Sequence, residues 1–375
     1  MTTLPDFRLE SYFAEWEFTA RYHLTASDAQ TISVRELLAL ADDDGRERWE
    51  NLSLGYTESR GMPELREAIA ATYESLTADD ILCFAGAEEA LYLVPQALLG
   101  ADDHAVVLTP NYQAAETVPL AICAVTGVAL REEDGWALDV DAIEAALRPN
   151  TRMVSVNFPN NPTGAVPPAA AWERLVRLCD ERGISLVSDE VYRGLERGES
   201  LAQAADLSAS AISVGVMSKA YGLPGLRIGW IASRDHAVLD RVARAKNYTT
   251  ICNSAPSEIL ALIALRARDS LLERNRGIIA TNLPLFDAFF ARHDALFEWA
   301  APQGGCVVFP RYLGAEGVER MCADLVTESG VLLLPASMYA SSLTPVATDR
   351  FRIGVGRTDP GPGLAAWDDW LVGRE

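Results

Sequence analysis

The sequence predicts an α/β protein that carries a second, smaller α/β layer toward its C-terminal end. Three observations predict this. Short, continuously apolar runs of strand length recur at 81–84, 105–109, 153–158 and 211–216. Between them lie longer amphipathic stretches with helical spacing, and strands alternating with helices are the mark of the class. The chain has 375 residues and 49% hydrophobic content, enough for a large core and too much for one small domain.

Taken in order, residues 9–22 carry aromatics (Tyr12, Phe13, Trp16, Phe18, Tyr22) at the spacing of an amphipathic helix. Such an arm can pack, or lie over a pocket or a neighbouring subunit. Ser33 followed by Glu36 reads as a capping box that opens a helix through Leu40. Residues 42–47 read as a polar break. Gly55 and Gly61 bracket an irregular loop holding Tyr56, and Pro63 suits the first turn of a helix continuing to Tyr73.

The strand at 81–84 runs through Gly86-Ala87-Glu88-Glu89 into a helix ending near Leu99. A strand, a glycine and a helix start expose backbone N–H groups to an anion, and many α/β proteins have the same turn without a ligand. The two glutamates suit that role only with their side chains turned outward. Strand 105–109 ends in Pro110-Asn111-Tyr112, which sets an aromatic where open α/β sheets bind ligands. A strand at 125–130 and a helix at 139–147 follow.

Strand 153–158 leads into Pro159-Asn160-Asn161-Pro162-Thr163-Gly164, dense turn chemistry that either ends the strand or holds the Asn161 amide inward. After a helix at 169–182, residues 184–192 form a buried-looking strand delivering Asp189 and Tyr192 at its end. There Asp189 is either a ligand for something in the cleft or a helix cap. Further elements are a strand at 228–232, helices within 237–267 interrupted at 247–257, a helix at 271–290, and strands at 306–310, 331–334 and 350–356. Arg352 lies in the last of these. Facing inward it needs an anion, and a substrate carboxylate can supply one bidentately.

The stretch from Val216 through Ser218-Lys219 to Arg227 organises the rest. Burial disfavours a charged ammonium, so a lysine at the end of a buried strand is costly unless something uses it. Gly222, Pro224 and Gly225 turn the chain so that Arg227 can return to the same place. An amine, a hydroxyl and a guanidinium would suit an aldehyde that bears a phosphate. Alone, the stretch is equally a lysine and an arginine on a solvated loop.

Composition narrows the function classes. A net charge of -21 and a pI near 4.6 weigh against nucleic acid or an anionic membrane as partner. The six cysteines are scattered without metal-ligand spacing, and the four histidines form no zinc motif. Residues 1–10 lack the basic start and apolar run of a signal peptide, and no apolar run is long enough to span a bilayer. A cytoplasmic enzyme with reduced thiols is expected.

Together Asn161-Pro162-Thr163-Gly164, Asp189-Glu190-Val191-Tyr192, Ser218-Lys219 and Arg227, in this order and spacing, resemble the fold-type I pyridoxal-phosphate enzymes of the class I/II aminotransferase group. The resemblance implies a large cofactor-binding domain with a mostly parallel central sheet at 46–275, an N-terminal arm at 1–45 that is part of the small domain, and a small C-terminal domain at 276–375. It implies that Lys219 forms the imine with the cofactor aldehyde and that Asp189 pairs with the pyridine nitrogen. Asn161 and Tyr192 would bond the ring hydroxyl, and Tyr112 would stack on the ring. Gly86, the amides of Ala87 and Glu88, Ser218 and Arg227 would hold the phosphate. Tyr56 would reach the cofactor of a second subunit, implying a homodimer with shared sites, and Arg352 with Asn161 would bind substrate. The reaction implied is transfer of an α-amino group from an amino acid to a 2-keto acid. The stretch 218–230 with Asn247-Tyr248-Thr249 is also similar to the capreomycidine synthases, cyclases acting on an arginine-like amino acid, and the same scaffold hosts eliminases and oxidases. Departures from the aminotransferase pattern are Val216 in place of a frequent serine, Glu88 where a small hydroxyl residue is frequent, Ala26-Ser27-Asp28 in place of a Gly-x-Pro loop, and Pro335-Ala336-Ser337 in place of a Pro-Gly.

Overall fold

The computed structural model describes residues 4–374. The outer ends of the expected 1–45 and 276–375 segments, and part of the stretch 1–10 on which the signal-peptide expectation rests, lie outside the described residues.

The strands pair as the alternation requires. One seven-stranded sheet runs in the order Ile81–Phe84, Gly229–Ala232, Ile212–Val216, Ser185–Asp189, Thr151–Asn157, His104–Thr109, Ala124–Ala129. Neighbours are parallel except around Gly229–Ala232, which runs antiparallel to both strands beside it. Four of these strands are buried along their whole length, which is why they read as largely apolar runs rather than alternating ones. Because the strands of the parallel set point the same way, their C-terminal ends form one edge. Register sets Asn157 beside Asp189, and Asp189 beside Val214, at that edge.

A smaller antiparallel sheet orders Val307–Val308, Phe351–Gly354 and Leu334–Pro335, and Tyr22–His23 pairs with Val331–Leu332. The N-terminal segment therefore packs on this C-terminal layer. Helix Arg268–Arg292 packs here through Phe286 and Phe289, both fully buried against Trp299 and Trp367. Each such side chain contributes on the order of 2 kcal/mol by leaving water. Among the described residues no helix is long and apolar enough to cross a membrane.

Two local expectations are corrected. Residues 42–47 are not a break: Asp43–Glu50 is a helix. The Asp42 side chain accepts from the Gly45 N–H at 2.7 Å, Arg48 pairs with Asp44 at 2.8 Å, and Arg266 bonds both aspartates. Caps and ion pairs build this helix without the apolar stripe by which helices are recognised. The helix expected over 9–22 stops at Trp16, and Tyr22 is the first residue of a strand.

Candidate functional site

The C-terminal edge of the large sheet, the small sheet and the helix Arg8–Trp16 enclose a cavity of about 1040 Å³. Strand ends deliver Tyr112, Asn161, Asp189 and Lys219 to it, and the start of helix Ala87–Leu98 delivers Ala87 and Glu88. Arg352 enters from Phe351–Gly354, and Tyr192, Ser218 and Arg227 complete the lining.

Lys219 Nζ donates to Ser27 Oγ at 2.8 Å. Burial holds this amine below the usual lysine range, Arg352 pushes the same way, and Asp28 opposes them. Asp189 sits at the end of its strand with Oδ1 accepting from the Val191 N–H at 3.1 Å; burial pushes its carboxyl up to about 7. It caps no helix. Tyr192 Oη is buried without a hydrogen-bond partner, and burial raises its pKa well above the tyrosine range.

Asn161 is fixed from both sides. Its N–H donates to Asn157 Oδ1 at 2.7 Å, and its Oδ1 accepts from Tyr339 Oη at 3.0 Å and Arg352 Nη1 at 3.3 Å. Arg352 is 1% exposed and spends its donors on the Thr25 carbonyl at 2.8 Å and Tyr339 Oη at 2.7 Å. Among the described residues it has no carboxylate within ion-pair distance. That is a buried guanidinium lacking the anion that would neutralise it.

The other end of the cavity is built for an oxyanion. Gly86 adopts φ +97°, and a Cβ there would lie 2.5 Å from Arg227 Nη2, so only glycine lets the arginine lie against the helix start. Arg227 itself is left-handed at φ 50°, and its Nη1 donates to Ser218 Oγ at 3.4 Å.

The two glutamates divide. Glu89 turns away, accepting from the Ala85 N–H at 2.8 Å and Thr250 at 2.8 Å. Glu88 lines the cavity, so the condition that both side chains turn outward is met by Glu89 alone. Burial, with Glu10 nearby, pushes the Glu88 carboxyl up to about 7, so it spends much of its time neutral near pH 7. Tyr112 packs its ring on Phe7, and its hydroxyl donates to Glu10 Oε1 at 3.2 Å. Tyr56 is 93% exposed and does not line this chain's cavity.

Several contributors were missed from sequence: Ser27 against Lys219, Tyr339 and Thr25 against Arg352, Asn157 behind Asn161, and Glu10 with Phe7 over Tyr112. Only Ser27 left a signal, in the unusual Ala26-Ser27-Asp28 stretch. The others are ordinary residues brought in from distant segments. Among the described residues no cluster of side chains could hold a metal ion, and the six cysteines are unpaired.

Comparisons with known proteins agree with this geometry. Residues 29–361 match the family model for aminotransferase class I and II. The chain is 31% identical to a capreomycidine synthase of Streptomyces vinaceus, over 98% of this chain and 94% of that relative. A PLP-dependent aminotransferase from Streptococcus suis superposes with a TM-score of 0.92 at 29% identity, covering 100% of this chain and 99% of the other. The PLP-dependent cyclase OrfR superposes with a TM-score of 0.90 at 27% identity, with the same coverage.

The residues present fit pyridoxal phosphate. The partnerless Tyr192 hydroxyl and the buried Asp189 carboxyl each call for a polar group, Lys219 is an amine of lowered pKa, and the Gly86–Arg227 cradle leaves room for a phosphate. The chain is a fold-type I enzyme that uses pyridoxal phosphate and belongs to the class I and II aminotransferase family.

Proposed function

We propose that the chain is an amino-acid aminotransferase that moves an α-amino group to a 2-keto acid. One observation carries this reading: a buried amine of lowered pKa and a buried arginine without an anion face the same cavity. The cofactor supplies an aldehyde that takes up amines and a protonated ring that accepts the electron pair left at the α-carbon.

The chain's residues do the rest. Lys219 holds the cofactor covalently and, once released, takes the α-proton as a neutral amine. Asp189 keeps the ring nitrogen protonated, Tyr192 and Asn161 bond the ring hydroxyl, and Tyr112 covers a ring face. Gly86, the Ala87 and Glu88 amides, Ser218 and Arg227 take the phosphate. Arg352 gathers the substrate carboxylate, with Asn161 and Tyr339 holding its guanidinium in place. On the same reading, residues 46–275 are the cofactor domain, 1–45 and 276–375 form the small domain, Tyr56 serves the site of a second copy, and the enzyme works in the cytoplasm with its thiols reduced.

A second reading keeps cofactor and lysine but has the enzyme cyclise, eliminate or oxidise an arginine-like amino acid. What favours it is the cavity's acidity. Glu10, Glu17 and Glu88 line the cavity, and Arg357 there is already paired with Asp28 at 2.7 Å. A cationic side chain is matched by such a wall, and similarity to a capreomycidine synthase points the same way.

Incubating holoenzyme with L-arginine or L-aspartate and no keto acid separates the readings. Stoichiometric conversion of the bound cofactor to pyridoxamine phosphate, reversed by pyruvate, supports transamination. Repeated turnover of L-arginine without a keto acid overturns it in favour of the second reading. Borohydride should fix the cofactor to Lys219; a label on another lysine overturns both.

A further inference from the structure

We propose that Ser27 passes protons between Lys219 and cavity water, so that the hydrogen Lys219 removes from substrate is exchanged with solvent. The inference rests on the reading of Lys219 as the base. Its ground is a contact the chemistry above does not use: Ser27 Oγ lies 2.8 Å from Lys219 Nζ, and it is the hydrogen-bond partner of that amine.

Ser27 is held there from several sides. The Leu24 carbonyl accepts from the Gly354 N–H at 2.8 Å, Ala29 N–H donates to the Lys219 carbonyl at 3.1 Å, and Gln30 N–H donates to the Gly356 carbonyl at 2.8 Å. Cys306 Sγ donates to the Ser27 carbonyl at 3.3 Å, and Asp28 is clamped by Arg357 at 2.7 Å. The segment is tied to the lysine loop and to the small sheet at once, so the hydroxyl is fixed in place before any ligand arrives.

Ser27 is half-buried and lines the cavity, so one side of its oxygen meets the amine and the other can meet water. A serine hydroxyl accepts and donates together. In the step proposed, an N–H bond of the Lys219 ammonium breaks as its proton moves to Ser27 Oγ. The Ser27 O–H bond breaks as its own proton moves to a water molecule. The serine ends unchanged, the amine ends neutral, and one proton has reached solvent; the same two transfers in reverse bring a solvent proton back to the amine, which completes the exchange. The charged and titratable groups facing this amine are Asp28, Glu10, Arg352 and Cys306, with Asp189, Glu88 and Glu17 acting on it from across the cavity and Tyr192 beside Ser27; among the described residues no carboxylate forms an ion pair with it. The hydroxyl is thus the group placed to take the proton.

The test uses Ser27→Ala and Ser27→Thr, each first checked for wild-type melting temperature. In apoprotein, trace acetylation of Lys219 followed by peptide mass spectrometry reports the amine's titration without cofactor. Loss of the accepting oxygen should move the midpoint down by about half a pH unit or more in Ser27→Ala, while Ser27→Thr stays with wild type. In holoenzyme given α-deuteriated L-arginine, the deuterium found in pyridoxamine phosphate should rise several-fold in Ser27→Ala and stay low in wild type and Ser27→Thr. Cofactor fixed on Lys219 with equal deuterium retention in all three proteins overturns the relay alone. Borohydride label absent from Lys219, with no α-deuterium lost by any protein, overturns the relay and the reading beneath it.

Discussion

Asp189 is a buried carboxyl whose value to the protein changes sign when its partner arrives. In the folded apoprotein it keeps its proton up to about pH 7, whereas an unfolded chain ionises it near 3.8, the ordinary value for an aspartate. Between those values the folded state binds more protons, so stability falls as pH rises through that window and stays low above it. The loss is on the order of 4 kcal/mol for a shift of this size. Asp189→Asn cannot ionise and avoids it. The apoprotein of Asp189→Asn should therefore melt several degrees above wild type at pH 8, with the gap closing toward pH 4. With coenzyme bound the ranking of function reverses. On the proposed role of Asp189, the ring nitrogen would lose the carboxylate that keeps it charged, and turnover should drop by about two orders of magnitude or more, the scale of removing one group aimed at developing charge. Melting curves of apo forms at two pH values, and single-turnover rates of holo forms, check both halves. An apoprotein of Asp189→Asn that is no more stable at pH 8 would show that the wild-type carboxyl already has a partner.

Elements differ in how far they could be read from sequence, and the difference is physical. The strand Ile212–Val216 was legible because a strand covered on both faces reads as a largely apolar run. Lys219 and Asp189 stood out as charges at the ends of buried-looking strands, but each also had a bland reading, as a loop lysine and as a helix cap, and it was their order and spacing with Asn161, Ser218 and Arg227 that singled them out. The helix Asp43–Glu50 was not legible, since it is held by a cap and ion pairs through Asp42, Asp44 and Arg266 rather than by an apolar stripe. Asp42→Ala removes its cap and an ion-pair partner together, and should cost about 1 kcal/mol of stability by denaturant titration without altering coenzyme affinity. Tyr339 was illegible for another reason, and Ser27 showed only as part of an unusual stretch: their hydroxyls matter through distances to Arg352 and Lys219 that only the tertiary fold creates. The start of helix Ala87–Leu98 lies between these cases. Its glycine was visible, but the reason for it was not, because Gly86 is required by Arg227 from far along the chain. Gly86→Ala imposes a strained φ and displaces that arginine, at roughly 1–3 kcal/mol for the backbone alone. Coenzyme dissociation measured by fluorescence should weaken about tenfold or more, and wild-type affinity in Gly86→Ala would remove the helix start from the phosphate site.

At the scale of the whole molecule, a group of highly exposed apolar side chains lies on two adjoining loops. Tyr56 and Tyr248 are each 93% exposed, Leu54 is 85% exposed and Ile251 is 53% exposed. Thr57 Oγ1 donates to the Asn253 carbonyl at 3.1 Å, which ties the loops together. Large aromatic and aliphatic side chains grouped in this way mark a surface that another molecule covers. The proposal that Tyr56 serves a second copy makes that molecule the chain itself, in a two-fold pair where each copy lends its loop to the other's cavity. This has a consequence that a merely adhesive interface lacks. Lys219→Ala removes the amine within one cavity, and Tyr56→Ala removes the hydroxyl lent to the opposite one. In a mixed pair both lesions fall in the same cavity, leaving the other with Lys219 and Tyr56 intact. Random re-pairing of equal amounts puts half the chains in mixed pairs with one sound cavity, so activity should return to about a quarter of wild type. The readout is turnover after unfolding and refolding the two variants together, compared with each refolded alone. Recovery no greater than the sum of the separate variants would confine Tyr56 to its own chain and leave the exposed loops needing a different explanation.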